Sequence, residues 1–255
     1  MTETLPQLRD DLLALGVRPG GVLLVHSSLR ALGPVPGGPG TVIAGLRAAL
    51  GEGGTLLMPA LSYENVTPQH PIFDVRRTPS NVGILPETFR LLPGTRRSLH
   101  PTHSVCATGP LADALLDPHI EDATPCGPHS PFHALPERDG QILMLGCGLE
   151  PNTSMHAIEE LVVPPYLYDP PIEYHLTRED GSTLDKTYTP HNFRGWRQRY
   201  DRVDRALPAP GLKKGRVLAA EAFLIESAAL REAALAALSR DPLFFVDRLA
   251  ETPAA

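Results

Sequence analysis

The chain has 255 residues, 42% of them hydrophobic, and its 29 acidic residues against 23 lysines and arginines give a formal charge of −6. That length supports one sizeable core, no apolar run approaches the roughly 20 residues a membrane helix needs, and the acidic balance argues against nucleic acid and favours a cationic ligand. The start, Met1-Thr2-Glu3-Thr4-Leu5-Pro6, lacks the basic and apolar regions of a secretory signal, so a cytoplasmic protein is expected. Three cysteines, Cys106, Cys126 and Cys147, are an odd and widely spaced set, which suggests reduced thiols and neither a disulfide framework nor a C-x-x-C metal site.

In chain order, apolar residues at Leu5, Leu8, Leu12 and Leu15 predict a first helix that ends at Gly16. Val22-Leu23-Leu24-Val25 is a continuous β-rich run suited to a strand buried on both faces, and it delivers His26, Ser27, Ser28 and Leu29 to the strand's carboxyl end. A Gly/Pro loop over 33–40 leads into a second helix, with Pro39 in its first turn. Thr55 to Pro59 reads as the next strand, and the alternation implies parallel βαβ units.

A long polar loop is expected from Ala60 to Ser80, followed by a helix over Val82 to Leu92 capped by Ser80 or Asn81. His103 to Thr108 and Gln141 to Leu145 read as strands, with a rigid loop at Pro125 to Pro131 between them. Farther on, Ile172 to Leu176 and Thr183 to Tyr188 flank an Asp-Gly turn and predict a β-hairpin. A charged helix is expected over Phe193 to Leu207, a strand over Arg216 to Phe223, an Ala-rich helix over Ser227 to Leu238, and a loose end at Glu251 to Ala255. The fold class is α/β: a mainly parallel central sheet flanked by helices, with an added β-hairpin and helix in the C-terminal third.

The stretch richest in chemistry runs from Gly146 to Glu160. It leaves a strand through Gly146, Gly148 and Pro151 and starts a helix at Asn152, Thr153 or Ser154. His156 and Glu159 stand at i and i+3 on that helix, so a carboxylate can lie beside the imidazole. On spacing alone a solvated surface pair fits the same pattern.

Several motifs in fixed order bear on the choice: His26-Ser27-Ser28-Leu29 with Gly33, Gly54 to Pro59, Phe73-Asp74, Arg97 to Pro101 with Ser104, Gly127 to Pro131, and Leu145-Gly146 leading to Asn152 through Glu159. With these, the sequence resembles the aminoglycoside 3-N-acetyltransferase family, antibiotic acetyltransferases distinct from the GCN5-related kind. The resemblance implies one antibiotic N-acetyltransferase-like domain over 1–255, with 166–210 as a sub-domain that shapes an acceptor pocket. It implies acetyl-CoA as co-substrate, a small-molecule amine as acceptor, direct transfer in a ternary complex, and no metal; the oligomeric state is left open.

Carried over residue by residue, the resemblance makes His156 the catalytic base and Glu159 its partner. Ser27, Ser28, Leu29, Ser104 and Ser130 become contacts for CoA, and Asp74 a partner for the acceptor's ammonium. The chemistry is consistent with that assignment. An ammonium cannot attack a thioester, a neutral imidazole can take its proton, and a fixed carboxylate sets the imidazole's tautomer. The Thr153 hydroxyl suits either the helix cap or the oxyanion. His100, held extended before Pro101, reads as structural or as a donor behind the site rather than as a base.

Two other chemistries fit fewer residues. Cys147 at a Gly-flanked turn suits an acyl-enzyme, and His100, His103, His156 and Glu159 suit a metal-dependent hydrolase, although no H-E-x-x-H spacing is present. An acceptor other than an aminoglycoside also fits, since few carboxylates lie in the 60–80 loop.

Overall fold

The computed structural model of the chain describes residues 3–250; the expected loose end at 251–255 lies outside them. α1 (Thr4–Leu15) buries Leu8, Leu12 and Leu15 on one face and stops at Gly16, whose left-handed backbone lets its N–H reach the Leu12 and Leu13 carbonyls. β1 (Val22–Ser27) follows, then α2 (Gly38–Leu50), β2 (Thr55–Pro59), β3 (Ile72–Asp74) and α3 (Ile84–Leu91). Next come β4 (Arg96–Arg97), β5 (Val105–Thr108), the short α4 (Ala112–Leu116) and α5 (Pro131–Ala134), β6 (Gln141–Leu145) and α6 (Ser154–Val162). The last third holds β7 (Ile172–Thr177), β8 (Thr183–Tyr188), β9 (Trp196–Gln198), α7 (Val203–Ala206), β10 (Leu212–Val217), β11 (Ala220–Glu226), α8 (Ser227–Arg240) and β12 (Val246–Arg248).

Seven strands form the central sheet in the order β10-β11-β6-β1-β2-β5-β4. β6, β1 and β2 pair in parallel at its centre, and the pairings outside them are antiparallel. Following the pairings outward, β10, β6, β1, β2 and β4 all point the same way. β1 explains the centre: Leu23 and Val25 pack with Leu8, Leu12 and Leu46 on one side, while Val22 and Leu24 pack with Met155, Ile158 and Leu230 on the other. A strand apolar on both faces needs helices on both. Because Ser27 pairs with Leu145, the carboxyl ends of β1 and β6 emerge side by side.

The expected hairpin is present as β7 and β8, and it pairs in parallel with β3. The expected 60–80 loop is thus interrupted by a strand, because residues a hundred positions later supply its edge. α3 starts at Ile84 after Gly83, which holds the cap position with φ +114°, so neither Ser80 nor Asn81 caps it; Ser80 N–H instead donates to Glu87 Oε2.

Two expectations in the last third are corrected. Phe193 to Leu207 does not form one helix: Gly195 takes φ +80°, β9 pairs with β12, and Arg199 and Arg202 both bind Asp247. A distant strand outbids local helix propensity there. Arg216 to Phe223 is the bend of a hairpin, β10 to β11, rather than a single strand. Leu218 makes the turn with φ +52° and donates its N–H to Asp11 Oδ2, a tight turn without the Gly or Asn that would mark it in sequence.

Candidate active site

At the carboxyl edge of the central sheet β6 is followed by Gly146, which has φ +74° and whose added Cβ would lie 2.6 Å from the Ala31 Cβ. Only glycine fits so close an approach. The chain then turns through Gly148 and Pro151 into α6. Asn152 Oδ1 accepts the Ser154 N–H at 3.1 Å, and Thr153, at the cap position, makes no capping bond with its own side chain. The Thr153 hydroxyl is thereby left to the cavity that it lines.

That cavity has a volume of about 550 Å³. The sheet side contributes His26 and Ser27 from the end of β1, Pro59 from the end of β2, His103, and Thr153 and His156 from the start of α6. The segment from 191 to 200 contributes His191, Phe193, Trp196, Gln198 and Tyr200.

His156 and Glu159 meet as the i, i+3 spacing allows: Nδ1 lies 3.1 Å from Glu159 Oε2. The carboxylate is fully buried and held twice more, by the Tyr200 hydroxyl donating to Oε2 at 2.6 Å and the Tyr166 hydroxyl donating to Oε1 at 2.8 Å. Tyr200 Oη also lies 3.0 Å from His156 Nδ1. Since the phenol gives its proton to the carboxylate, it can only accept from the ring, and the network assigns the Nδ1–H tautomer. His156 Nε2 keeps its lone pair. Burial and the Glu159 charge push the Tyr166 and Tyr200 phenols upward, so both remain donors.

A second pair stands beside the first. Glu160, next along α6, accepts from Thr124 Oγ1 at 2.5 Å and the Cys126 N–H at 2.8 Å, and its Oε1 lies 2.7 Å from His191 Nε2. Burial pushes the Glu160 carboxyl upward and pushes His191 and His103 well below the ordinary imidazole range, with neighbouring imidazoles adding to the effect on both. His26 is lowered to about 3 by burial and by His156. The imidazoles of His26, His103 and His191 are therefore neutral at pH 7.

The other expected residues lie in several places. Ser28 heads a 3-10 turn over Leu29–Leu32 with its N–H on the Leu145 carbonyl, and Leu29 packs against the α1–α2 side of the core. Ser104 is buried, donating to the Ala60 carbonyl and accepting from Arg97 Nε, both at 2.8 Å. Ser130 caps α5 by accepting the His133 N–H at 3.1 Å. Of the five residues expected at CoA, Ser27 alone is among those lining this cavity. Asp74 ends β3 and accepts the Arg76 and Arg77 N–H groups, away from the lining set, whose carboxylate is Glu150.

His100 stacks on His119 at 4.9 Å and accepts the His103 N–H at 2.9 Å, a structural setting. Cys147 lines the cavity, but burial pushes its thiol up to about 11, which disfavours it as a nucleophile. Sequence reading missed Tyr166, Tyr200, His191, Glu160 and His26. Glu160 carries a faint signal as the neighbour of Glu159; the tyrosines carry none, because their role depends on burial against a helix that local patterns do not connect to them.

A family model described as aminoglycoside 3-N-acetyltransferase matches residues 24–239. Aminoglycoside N(3)-acetyltransferase IV of Salmonella sp is 40% identical over 247 residues, covering 94% of this chain and 89% of the relative. A mutant of aminoglycoside acetyltransferase AAC(3)-IVa in complex with apramycin is 38% identical with a TM-score of 0.75, over 94% of this chain and 93% of that one. AAC-IIIb in a binary complex with CoASH is 30% identical with a TM-score of 0.81, over 93% and 96%. Sequence, fold and cavity agree: the chain belongs to the aminoglycoside 3-N-acetyltransferase family and is an acyltransferase.

Proposed function

We propose that this enzyme moves the acetyl group of acetyl-CoA directly to an amine, the 3-amino group of an aminoglycoside, with His156 as general base. One observation carries the reading: His156 Nδ1 is held between Glu159 and Tyr200 at the cavity, which leaves Nε2 as the proton acceptor. The bound ammonium sheds one proton to solvent, the amine nitrogen attacks the thioester carbonyl while Nε2 takes its second proton, and the C–S bond breaks as the tetrahedral species collapses. Glu159 stabilises the imidazolium formed on the way. The proton then leaves with the CoA thiolate. The Thr153 hydroxyl, free of capping, is the candidate donor to the oxyanion. No step calls for a metal ion.

Ser27 at the open end of β1 is the candidate for contact with CoA near the thioester. The CoA-bound AAC-IIIb relative supports a CoA site in this fold. The 166–210 segment shapes the acceptor side through Phe193, Trp196 and Gln198. Because the wall's carboxylate is Glu150 and Asp74 is held in a turn, Glu150 takes the ammonium contact in this reading. A wall with one carboxylate also favours a second reading, the same transfer to an amine carrying fewer charges than an antibiotic. We place the enzyme in the cytoplasm, where acetyl-CoA is available; no helix of the described residues is long and apolar enough to cross a membrane.

Thiol release from acetyl-CoA, measured across gentamicin, apramycin and simple monoamines, tests both readings. Turnover with an aminoglycoside, and a product acetylated at the 3-amino group, is expected. Turnover with monoamines only would select the second reading.

A further inference from the structure

One ring nitrogen each of His103, His156 and His191 lies within 4.8 Å of the other two, although the three residues come from separate stretches of chain. One nitrogen of each ring has a partner: His103 Nδ1 on Thr102 Oγ1 at 2.9 Å, His156 Nδ1 on Glu159 Oε2 at 3.1 Å, and His191 Nε2 on Glu160 Oε1 at 2.7 Å. The three nitrogens left over make no hydrogen bond among the described residues. His191 Nδ1 is a buried polar atom without a partner, on a side chain only 5% exposed. Leaving such an atom unpaired costs about 1–3 kcal/mol.

Those features together describe a ligand set. Metal-binding histidines present one nitrogen to the ion and give the other N–H to a carboxylate or another fixed oxygen, which orients the ring. Three imidazoles with an open fourth position suit zinc, whereas magnesium and calcium take oxygen ligands. Two carboxylates directly behind the rings offset the ion's charge. Ligand nitrogens of a tetrahedral zinc lie ~3.3 Å apart, so the widest pair here closes by ~1.5 Å through side-chain rotation. The ring centroids, 4.7 Å apart for His156 and His191 and 5.3 Å for His103 and His191, allow that convergence.

We propose that His103, His156 and His191 bind one zinc-like divalent transition-metal ion, and that the bound ion reversibly silences acetyl transfer. It does so by occupying the Nε2 lone pair of His156, which cannot hold a metal and accept a proton at once. The binding stands on the three rings alone. The silencing rests on the reading of His156 as the base.

Cobalt(II) titrated into the chelator-treated full chain reads the binding without recourse to activity. One equivalent should produce the visible bands of a tetrahedral ion, displaced by zinc and untouched by magnesium. His103→Ala and His191→Ala should each weaken binding beyond the ~10–100-fold that loss of an outer partner costs. Glu160→Gln should weaken it by about 10–100-fold while keeping all three ligands, which tests the site even where an alanine variant does not fold by circular dichroism. Cobalt without visible bands, or bound equally by the parent and the variants, would overturn the proposal. One equivalent of zinc should also stop thiol release, with recovery on chelation; metal bound at these rings without loss of turnover would leave the site standing and remove His156 Nε2 from the base role.

Discussion

The two walls of the cavity are built on different principles. The sheet-side wall, His26, Ser27, Pro59, Thr153 and His156, consists of the ends of regular elements, and hydrogen-bond ladders of the central sheet set its positions. The opposite wall, His191 to Tyr200, is mostly irregular chain, tied down by aromatic contacts, the β9–β12 pairing and arginine–aspartate bonds. His156, the proposed base, sits on the first wall, yet one of the two hydroxyls that hold the Glu159 carboxylate beside it, that of Tyr200, comes from the second. Placement and orientation of one dyad are thus divided between distant parts of the chain.

The strongest test of this division is His156→Ala. Turnover should fall by about 1,000-fold while CoA binding, measured by calorimetry, persists; a near wild-type rate would end the assignment of the base to the sheet-side wall.

Acid should weaken both walls together. His26 and His103 on one and His191 on the other have folded-state pKa values depressed below the unfolded imidazole, so the unfolded chain binds more protons as pH falls. Stability from these groups is therefore complete above pH ~6.5 and falls below it by about 1.4 kcal/mol per pH unit for each imidazole, with His26 continuing to lose toward pH 3. Thermal midpoints between pH 7.5 and pH 4.5 should drop accordingly, and a flat profile would mean that the imidazoles are not buried as described.

Glu159→Gln keeps the shape of the first wall but removes the charge that stabilises the imidazolium, and kcat should fall by about 100-fold. Tyr200→Phe deletes only the second wall's hydroxyl. It should lower kcat about 10-fold, the ~1.4 kcal/mol scale of one hydrogen bond to a charged group, with KM for acetyl-CoA unchanged. If kcat does not move, the irregular wall has no part in holding the dyad. Trp196→Ala should have the smallest effect on the chemistry, raising the KM for the amine several-fold at nearly constant kcat; a change confined to acetyl-CoA would exchange the roles of the walls.

The same contrast explains what could be read in advance. The continuous apolar run of β1 and the i, i+3 spacing of His156 and Glu159 are local patterns, and the strand, the helix and the dyad were legible from them. Whether the pair was buried was not legible locally, and there the ordered family motifs decided. The 193–207 segment has a helix-like charge pattern, but its partners, β12 and Asp247, lie 48 to 52 residues later and no local rule reveals them. The β10–β11 turn at Leu218 lacked the residues that mark turns, and Asp11, from the first helix, supplies its partner. His191 was invisible for a related reason, since its companion Glu160 lies 31 residues earlier.

Gly146 sets the tolerance of the whole assembly. Its α-carbon passes so near Ala31 that one methyl group would overlap it, and the Ala220 Cβ stands 3.2 Å from where that methyl would sit. The lead-in to α6, and with it the reach of His156 across the cavity, is therefore gauged against β11 and the turn after β1 with less clearance than a single carbon atom.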